Sequence, residues 1–219
     1  GHAWDKNGSS IDAASGWGKS GQESFHSSPE RATAVSCFEM EKLKWRRTTA
    51  VDRSDPAHPA IFVRDSFEGE NAAAPKVASF NLMATGPVQT PKGDLNPPQH
   101  THPDAVSSPG QPDSELPSAT PPMDLGAGVH RFGFTGRHGV DFDVYVVAEQ
   151  PVKALLGGWA VSSWGGHVTE KEERQHILRV RGAGPFTTLI VPWCKGEKPE
   201  GLKAEIRDGQ LHLTSPKGN

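Results

Sequence analysis

The hydrophobic positions of this chain recur with a period of two rather than 3.6. Within 140–149, Val140, Phe142, Val144 and Val146 fall on one face and Asp141, Asp143 and Tyr145 on the other, the pattern of a half-buried strand. Runs with strand character also occupy 32–39, 43–52, 60–67 and 76–84, separated by charged or Pro/Gly-bearing turns. Further runs follow at 129–135, 140–149, 176–182, 186–193, 202–207 and 210–214, and Asp208-Gly209 between the last two is a two-residue hairpin signal. The one charged run with helical propensity, 171–175, is too short to matter. About ten strands without crossover helices predict an all-β fold, an antiparallel β-sandwich of supersandwich-like build, and exclude parallel βαβ architectures.

Residues 86–124 interrupt this rhythm. They hold ten of the 19 prolines and no Phe, Trp or Tyr, with Asn96-Pro97-Pro98-Gln99 and Pro121-Pro122 as stiff stretches. Such a segment cannot build a core, so a disordered, Pro-rich surface insertion is expected there. The rest divides into an entry segment, 1–31, and a sandwich domain, 32–219.

A length of 219 residues with 34% hydrophobic content supports one core. A formal charge of -3 and a pI near 6.4 carry no basic stripe, so no nucleic-acid partner is expected and any acidic ligand must meet local arginines. Cys37 and Cys194 are too few for a disulfide framework; they read as buried small hydrophobes, with one long-range bridge as the alternative. No apolar run approaches the ~20 residues of a membrane span, and Gly1-His2-Ala3-Trp4-Asp5 lacks the features of a secretory signal. A soluble piece that starts inside a longer polypeptide is expected, with no membrane partner. No P-loop, GxGxxG, GxSxG, HExxH or paired CxxC occurs, which leaves nucleotide-binding, hydrolase-elbow and zinc-ribbon classes without support.

Three blocks carry a family likeness. Trp45-Arg46-Arg47 leads into Asp55-Pro56, then Phe62-Val63-Arg64-Asp65-Ser66-Phe67 and Gly69. The second block is Phe132-Gly133-Phe134-Thr135-Gly136-Arg137-His138-Gly139-Val140-Asp141-Phe142-Asp143-Val144. The third is Leu178-Arg179-Val180-Arg181 with Thr188-Leu189-Ile190-Val191-Pro192-Trp193 and Lys195-Gly196-Glu197. Together they resemble the C-terminal β-sandwich of heparinase II/III-like polysaccharide lyases, in which a helical toroid carrying much of the chemistry comes first. The resemblance implies a fragment of a periplasmic or secreted parent protein. Its partners would be that toroid and an acidic, uronate-containing polysaccharide such as a glycosaminoglycan or alginate.

The resemblance also bears on the entry segment. His2, Asp5 and Asn7 are similar to part of the family's histidine-rich entry strand, where a histidine serves the active site or a metal. His26 is the nearest further candidate, so His2, Asp5 and His26 form the candidate metal set for a divalent ion, zinc or calcium, in the intact protein. Unliganded histidines are the ordinary alternative, and His100-Thr101-His102 has the spacing of a metal clip but lies in the proline-rich span.

A lyase must quiet a uronate carboxylate, take the C5 proton and protonate the leaving oxygen. The single tyrosine, Tyr145, reads as a packing residue with a satisfied hydroxyl, and His2 is the one weak catalytic candidate. Arg46, Arg47 and Arg64, on adjacent predicted strands, suit uronate carboxylates and sulfates; cross-strand pairing with Asp52, Asp65 or Glu68 is the more ordinary use. Trp159 and Trp164 flank a Gly/Ser-rich loop where indoles would stack on sugars or plug the end of the sandwich. The expected function is therefore a polysaccharide-lyase β-sandwich, catalytically silent as this chain alone. The alternative is a non-catalytic carbohydrate-binding or structural module.

Overall fold

The computed structural model describes residues 19–40, 42–55, 59–100, 120–160, 174–207 and 210–214, and within them every regular element is a strand. The chain opens on a four-stranded meander, β1 (Lys19–Ser27), β2 (Arg31–Met40), β3 (Leu43–Asp52) and β4 (Ala60–Glu68). Then come β5 (Lys76–Leu82), β6 (Ala84–Thr90), β7 (Gly93–Leu95), β8 (Gln99–His100) and β9 (Met123–Leu125). The last seven are β10 (Gly128–Gly136), β11 (Val140–Ala148), β12 (Val152–Ala160), β13 (Arg174–Gly182), β14 (Phe186–Cys194), β15 (Lys203–Arg207) and β16 (Gln210–Thr214).

A nine-stranded sheet runs β1-β2-β3-β4-β14-β11-β10-β6-β7 and faces a five-stranded sheet, β5-β13-β12-β8 with β9 also on β12; β15 and β16 pair only with each other. Every pairing is antiparallel except the two-residue contact of β8 with β12. The all-β antiparallel sandwich expected from the sequence is the fold. Phe132, Phe134, Phe142, Val144, Val146 and Phe186 from the large sheet meet Ala154, Leu156, Leu178 and Val180 from the small one in the main core. Phe186 also takes the edge of the Phe67 ring at 6.0 Å.

Among the described residues sixteen strands stand where about ten were expected, and the additional ones show why. β1 has one large apolar residue, the exposed Phe25, and sits at a sheet edge, so no buried face imposes alternation. β7, β8 and β9 are too short to display a period. The span 86–124 is not one insertion: β6, β7, β8 and β9 occupy its described parts, with Val88 fully buried, and 101–119 lie outside the described residues. β12 was hidden by Gly157-Gly158, which pair with Ile177 and His176 in a strand buried on both faces.

The half-buried reading of β11 is also corrected. From Phe142 to Ala148 every residue is buried, because Leu202, Ala204 and Leu213 pack over Tyr145 on the supposedly solvated face. Leu202 and the paired strands β15 and β16 thus add a third layer locally. Arg207 opposes Gln210 as a two-residue connection requires, while Asp208-Gly209 itself lies outside the described residues. Between β10 and β11 the chain turns through His138 at φ 57° and Gly139 at φ 75°, left-handed conformations that favour glycine at the second position.

Cys37 is half-buried and Cys194 exposed, and neither is bonded to the other. β3 and β4 stand between their strands. At ~4.8 Å per strand step, β2 and β14 are about 14 Å apart, twice the Cα reach of a disulfide.

Lys76 joins the two sheets at their crossover. Its side chain is buried, its Nζ donates to the carbonyls of Asn71 at 2.8 Å, Ala72 at 2.6 Å and Ala74, and it lies 4.9 Å from the Phe67 ring centroid. Burial lowers the amine to about 8. The folded protein therefore releases this proton before the unfolded chain does, so stability rises with pH between about 8 and 10.5. Urea midpoints measured across that window should climb in the parent protein and lose this component in Lys76→Met. Parallel slopes for the two proteins would refute the assignment.

Candidate functional site

The nine-stranded sheet is wider than the sheet packed on it. Among the described residues the main core cluster contains no buried residue from β1, β2 or β3, so these strands stand outside it. Ser36 lies opposite Arg47 and Phe38 opposite Trp45, while Arg47 and Trp45 oppose Asp65 and Phe67 on β4. Asp65 in turn opposes the core residue Phe186. Directly opposed residues of an antiparallel sheet project to one side, so the whole set shares the inner face with Phe186.

Asp65 organises this face. Only 2% exposed, its carboxylate accepts from Trp45 Nε1 at 2.8 Å, from Arg47 Nε at 2.7 Å and from Arg47 Nη2 at 2.8 Å. The guanidinium sits 5.0 Å from the Trp45 ring centroid. One edge of the arginine fork is thereby held by a buried anion, and indole and guanidinium are both fixed. Ser36, Phe38, Trp45 and Arg47, with Gly21 and Cys37, line a cleft of about 400 Å³. Aromatic faces beside an immobilised guanidinium offer stacking for a sugar ring and a planar donor for its carboxylate or sulfate.

The other two candidate arginines are on the opposite face. Arg46 is held by Glu23 at 2.9 and 3.3 Å and by Glu68 at 3.2 Å, and its hydrogen bonds keep the Glu23 carboxyl below the usual range. Arg64 meets Thr187 at 3.2 Å and Glu149 at 3.5 Å. Arg46, Arg47 and Arg64 therefore do not form one cluster: the alternation of a strand puts Arg47 inward and its neighbour outward. Of the acids expected as cross-strand partners, Asp65 takes Arg47 and Glu68 takes Arg46, while Glu23 and Glu149 are further partners of Arg46 and Arg64. Trp159 is a β12 residue opposite Gln175, and Trp164 lies outside the described residues.

His2 and Asp5 also lie outside the described residues. His26 is on β1 and exposed, and among the described residues no group of three or more His, Cys, Asp or Glu is arranged to hold a metal. The sequence signal for the cleft was Trp45 and Phe38, residues that a local pattern assigns to packing.

A second polar cluster lies on the outer face. The Asp143 carboxylate, 1% exposed, takes Arg131 Nε and Nη2 at 2.7 Å each, the Tyr145 hydroxyl at 3.3 Å and Lys198 Nζ at 3.5 Å. Burial first, and the Asp143 charge second, push the Tyr145 hydroxyl up to about 12, so it stays protonated and donates. Such a hydroxyl is satisfied and inert as a base, in keeping with the packing role expected of Tyr145.

No family model matches the chain, and no curated protein sequence does. Among solved structures it is similar to heparan sulfate lyase HepC from Pedobacter heparinus, at 13% identity and a TM-score of 0.48 over 90% of this chain. It is likewise similar to a mutant of that enzyme, at 14% identity, a TM-score of 0.48 and 90% coverage. In both cases the chain spans 28% of the other protein's length.

Proposed function

We propose that this chain is the β-sandwich part of a heparinase II/III-like polysaccharide lyase, and that it holds acidic polysaccharide in the Trp45–Arg47 cleft. The observation that carries the reading is the pairing of a fixed indole and a fixed guanidinium on a stretch of sheet that, among the described residues, adds no buried residue to the main core. The three sequence blocks that resemble the lyase sandwich support it independently. The described residues assemble no proton-transfer pair at the cleft, so the chain binds and orients sugar while β-elimination belongs to the toroid of the parent protein.

Titration with heparan sulfate and alginate oligosaccharides, followed by tryptophan fluorescence, tests the binding. Trp45→Ala is expected to weaken it about ten-fold, the equivalent of ~1.4 kcal/mol of stacking, with Trp45→Phe retaining most of the affinity. Equal affinity of Trp45→Ala and the parent protein, or no binding of either polymer, would remove the proposal. Incubation of the chain alone with these polymers should yield no unsaturated products.

A further inference from the structure

Lys76 lines no part of the Trp45–Arg47 cleft, yet two lines of contact join it to that cleft. The first passes through an aromatic ring. The Lys76 amine lies 4.9 Å from the Phe67 ring centroid, and the same ring meets Phe186 at 6.0 Å and the bare backbone of Gly184, where a Cβ would stand 2.7 Å from it. Phe67 is thereby fixed by three neighbours, and it is the residue directly opposite Trp45, with Cβ atoms ~5 Å apart in such a pair. The second line passes through the backbone. The carbonyls of Asn71, Ala72 and Ala74, which accept from Lys76 Nζ, belong to the turn 70–74. In return the Asn71 amide donates to the Lys42 carbonyl at 3.1 Å, and Glu70 pairs with the Lys42 side chain at 3.1 Å. Gly69, at φ 106°, lies so close that a Cβ would stand 2.7 Å from that carbonyl. Lys42 lies in the turn between β2 and β3, three residues before Trp45.

We infer that Lys76 is a positioning residue for the cleft: its amine binds the 70–74 turn and the Phe67 ring into one corner, and that corner seats Trp45 and the β2–β3 turn. Its bearing on ligand rests on the sugar-binding reading of the cleft. At pH 7 the amine is protonated, since burial brings it down only to about 8, and it offers three hydrogens to three carbonyls. The turn's own backbone supplies two hydrogen bonds, Ala72 to Gly69 at 3.0 Å and Ala74 to Asn71 at 3.2 Å. No ladder holds this turn, so the side chain that satisfies three of its carbonyls sets its shape.

The indole N–H of Trp45 reports the seat directly, because it donates to Asp65 at 2.8 Å. Its signal is assigned by its loss in Trp45→Phe, and its solvent exchange at pH 7 is compared with that of the β11 and β14 amides. Lys76→Met keeps the length of the side chain and removes the donors. It should speed exchange of the indole N–H about ten-fold, while the β11 and β14 amides change less than three-fold. Lys76→Gln keeps two donors and should speed the indole less than three-fold. The indole is observed without polysaccharide, so this result is decided apart from sugar binding in the cleft. A Trp45 N–H that exchanges at the parent's rate in Lys76→Met overturns the inference. So does a speeding that β11 and β14 share in full, which marks lost global stability and not lost position. Lys76→Gln matching Lys76→Met would overturn it as well, by showing that the donors contribute nothing.

Discussion

Asp143→Ala is expected to lower unfolding free energy by about 3 kcal/mol, a fall in Tm of about 6–12 °C for a domain of this size. The carboxylate is almost fully buried and is the shared partner of Arg131, Lys198 and the Tyr145 hydroxyl. Removing it leaves a half-buried guanidinium facing a half-buried ammonium, with a buried hydroxyl that has lost its acceptor. Arg131 retains Gln89 at 3.0 Å and some solvent, which keeps the loss at the lower end of the range for broken buried pairs. The packing of the site confirms how closely it is fitted: a Cβ on Gly133 would stand 2.8 Å from Gln89 Oε1, 2.9 Å from Arg131 Nη2 and 3.1 Å from Asp143 Oδ1. Urea unfolding with an unchanged slope is the measurement, and a loss below ~1 kcal/mol would mean that solvent substitutes for the carboxylate.

Arg47→Ala should act through the partner it leaves behind. Asp65 would keep only the Trp45 indole as donor while remaining buried between β3 and β14, and an uncompensated buried carboxylate costs about 3 kcal/mol. The control is the second substitution. Asp65→Asn in the Arg47→Ala background removes the stranded charge, so the double variant should recover more than half of the loss, a coupling well above the additivity limit. Additive losses would show that Arg47 contributes by packing on Trp45 and not by charge. Polysaccharide affinity should stay low in the double variant, which separates the stabilising role of the pair from the ligand role of its guanidinium.

Much of the fold was legible because antiparallel strands write their burial into alternation. β3, β4, β11, β14 and β16 lie within a residue of the predicted bounds, and the arginine–acid pairing across β3 and β4 was one of the two readings that Arg46, Arg47 and Asp65 allowed. The misses share a cause. Whether the second face of a strand is covered depends on elements distant in sequence: Leu202 and Leu213 pack on Tyr145, while Trp45 stays outside the main core and only half-buried. Nothing local to 43–52 distinguishes a tryptophan inside the core from one outside it. Composition misled over 86–100 for a related reason, since Val88 and Leu95 suffice to seat β6 and β7 among prolines.

The order of the large sheet also governs when it can form. β1 to β4 are consecutive hairpins, but the next neighbour of β4 is β14, roughly 120 residues further along. At ~5–20 residues per second of synthesis, the outer edge of Ala60–Glu68 waits on the order of ten seconds for its partner. During that wait its Ile61, Phe62 and Val63 amides are open to any other strand, including the same segment of a neighbouring nascent chain. Refolding should accordingly be slow and concentration-limited, and Arg64 and Asp65 place two charges in the middle of that waiting edge, where they oppose such mispairing.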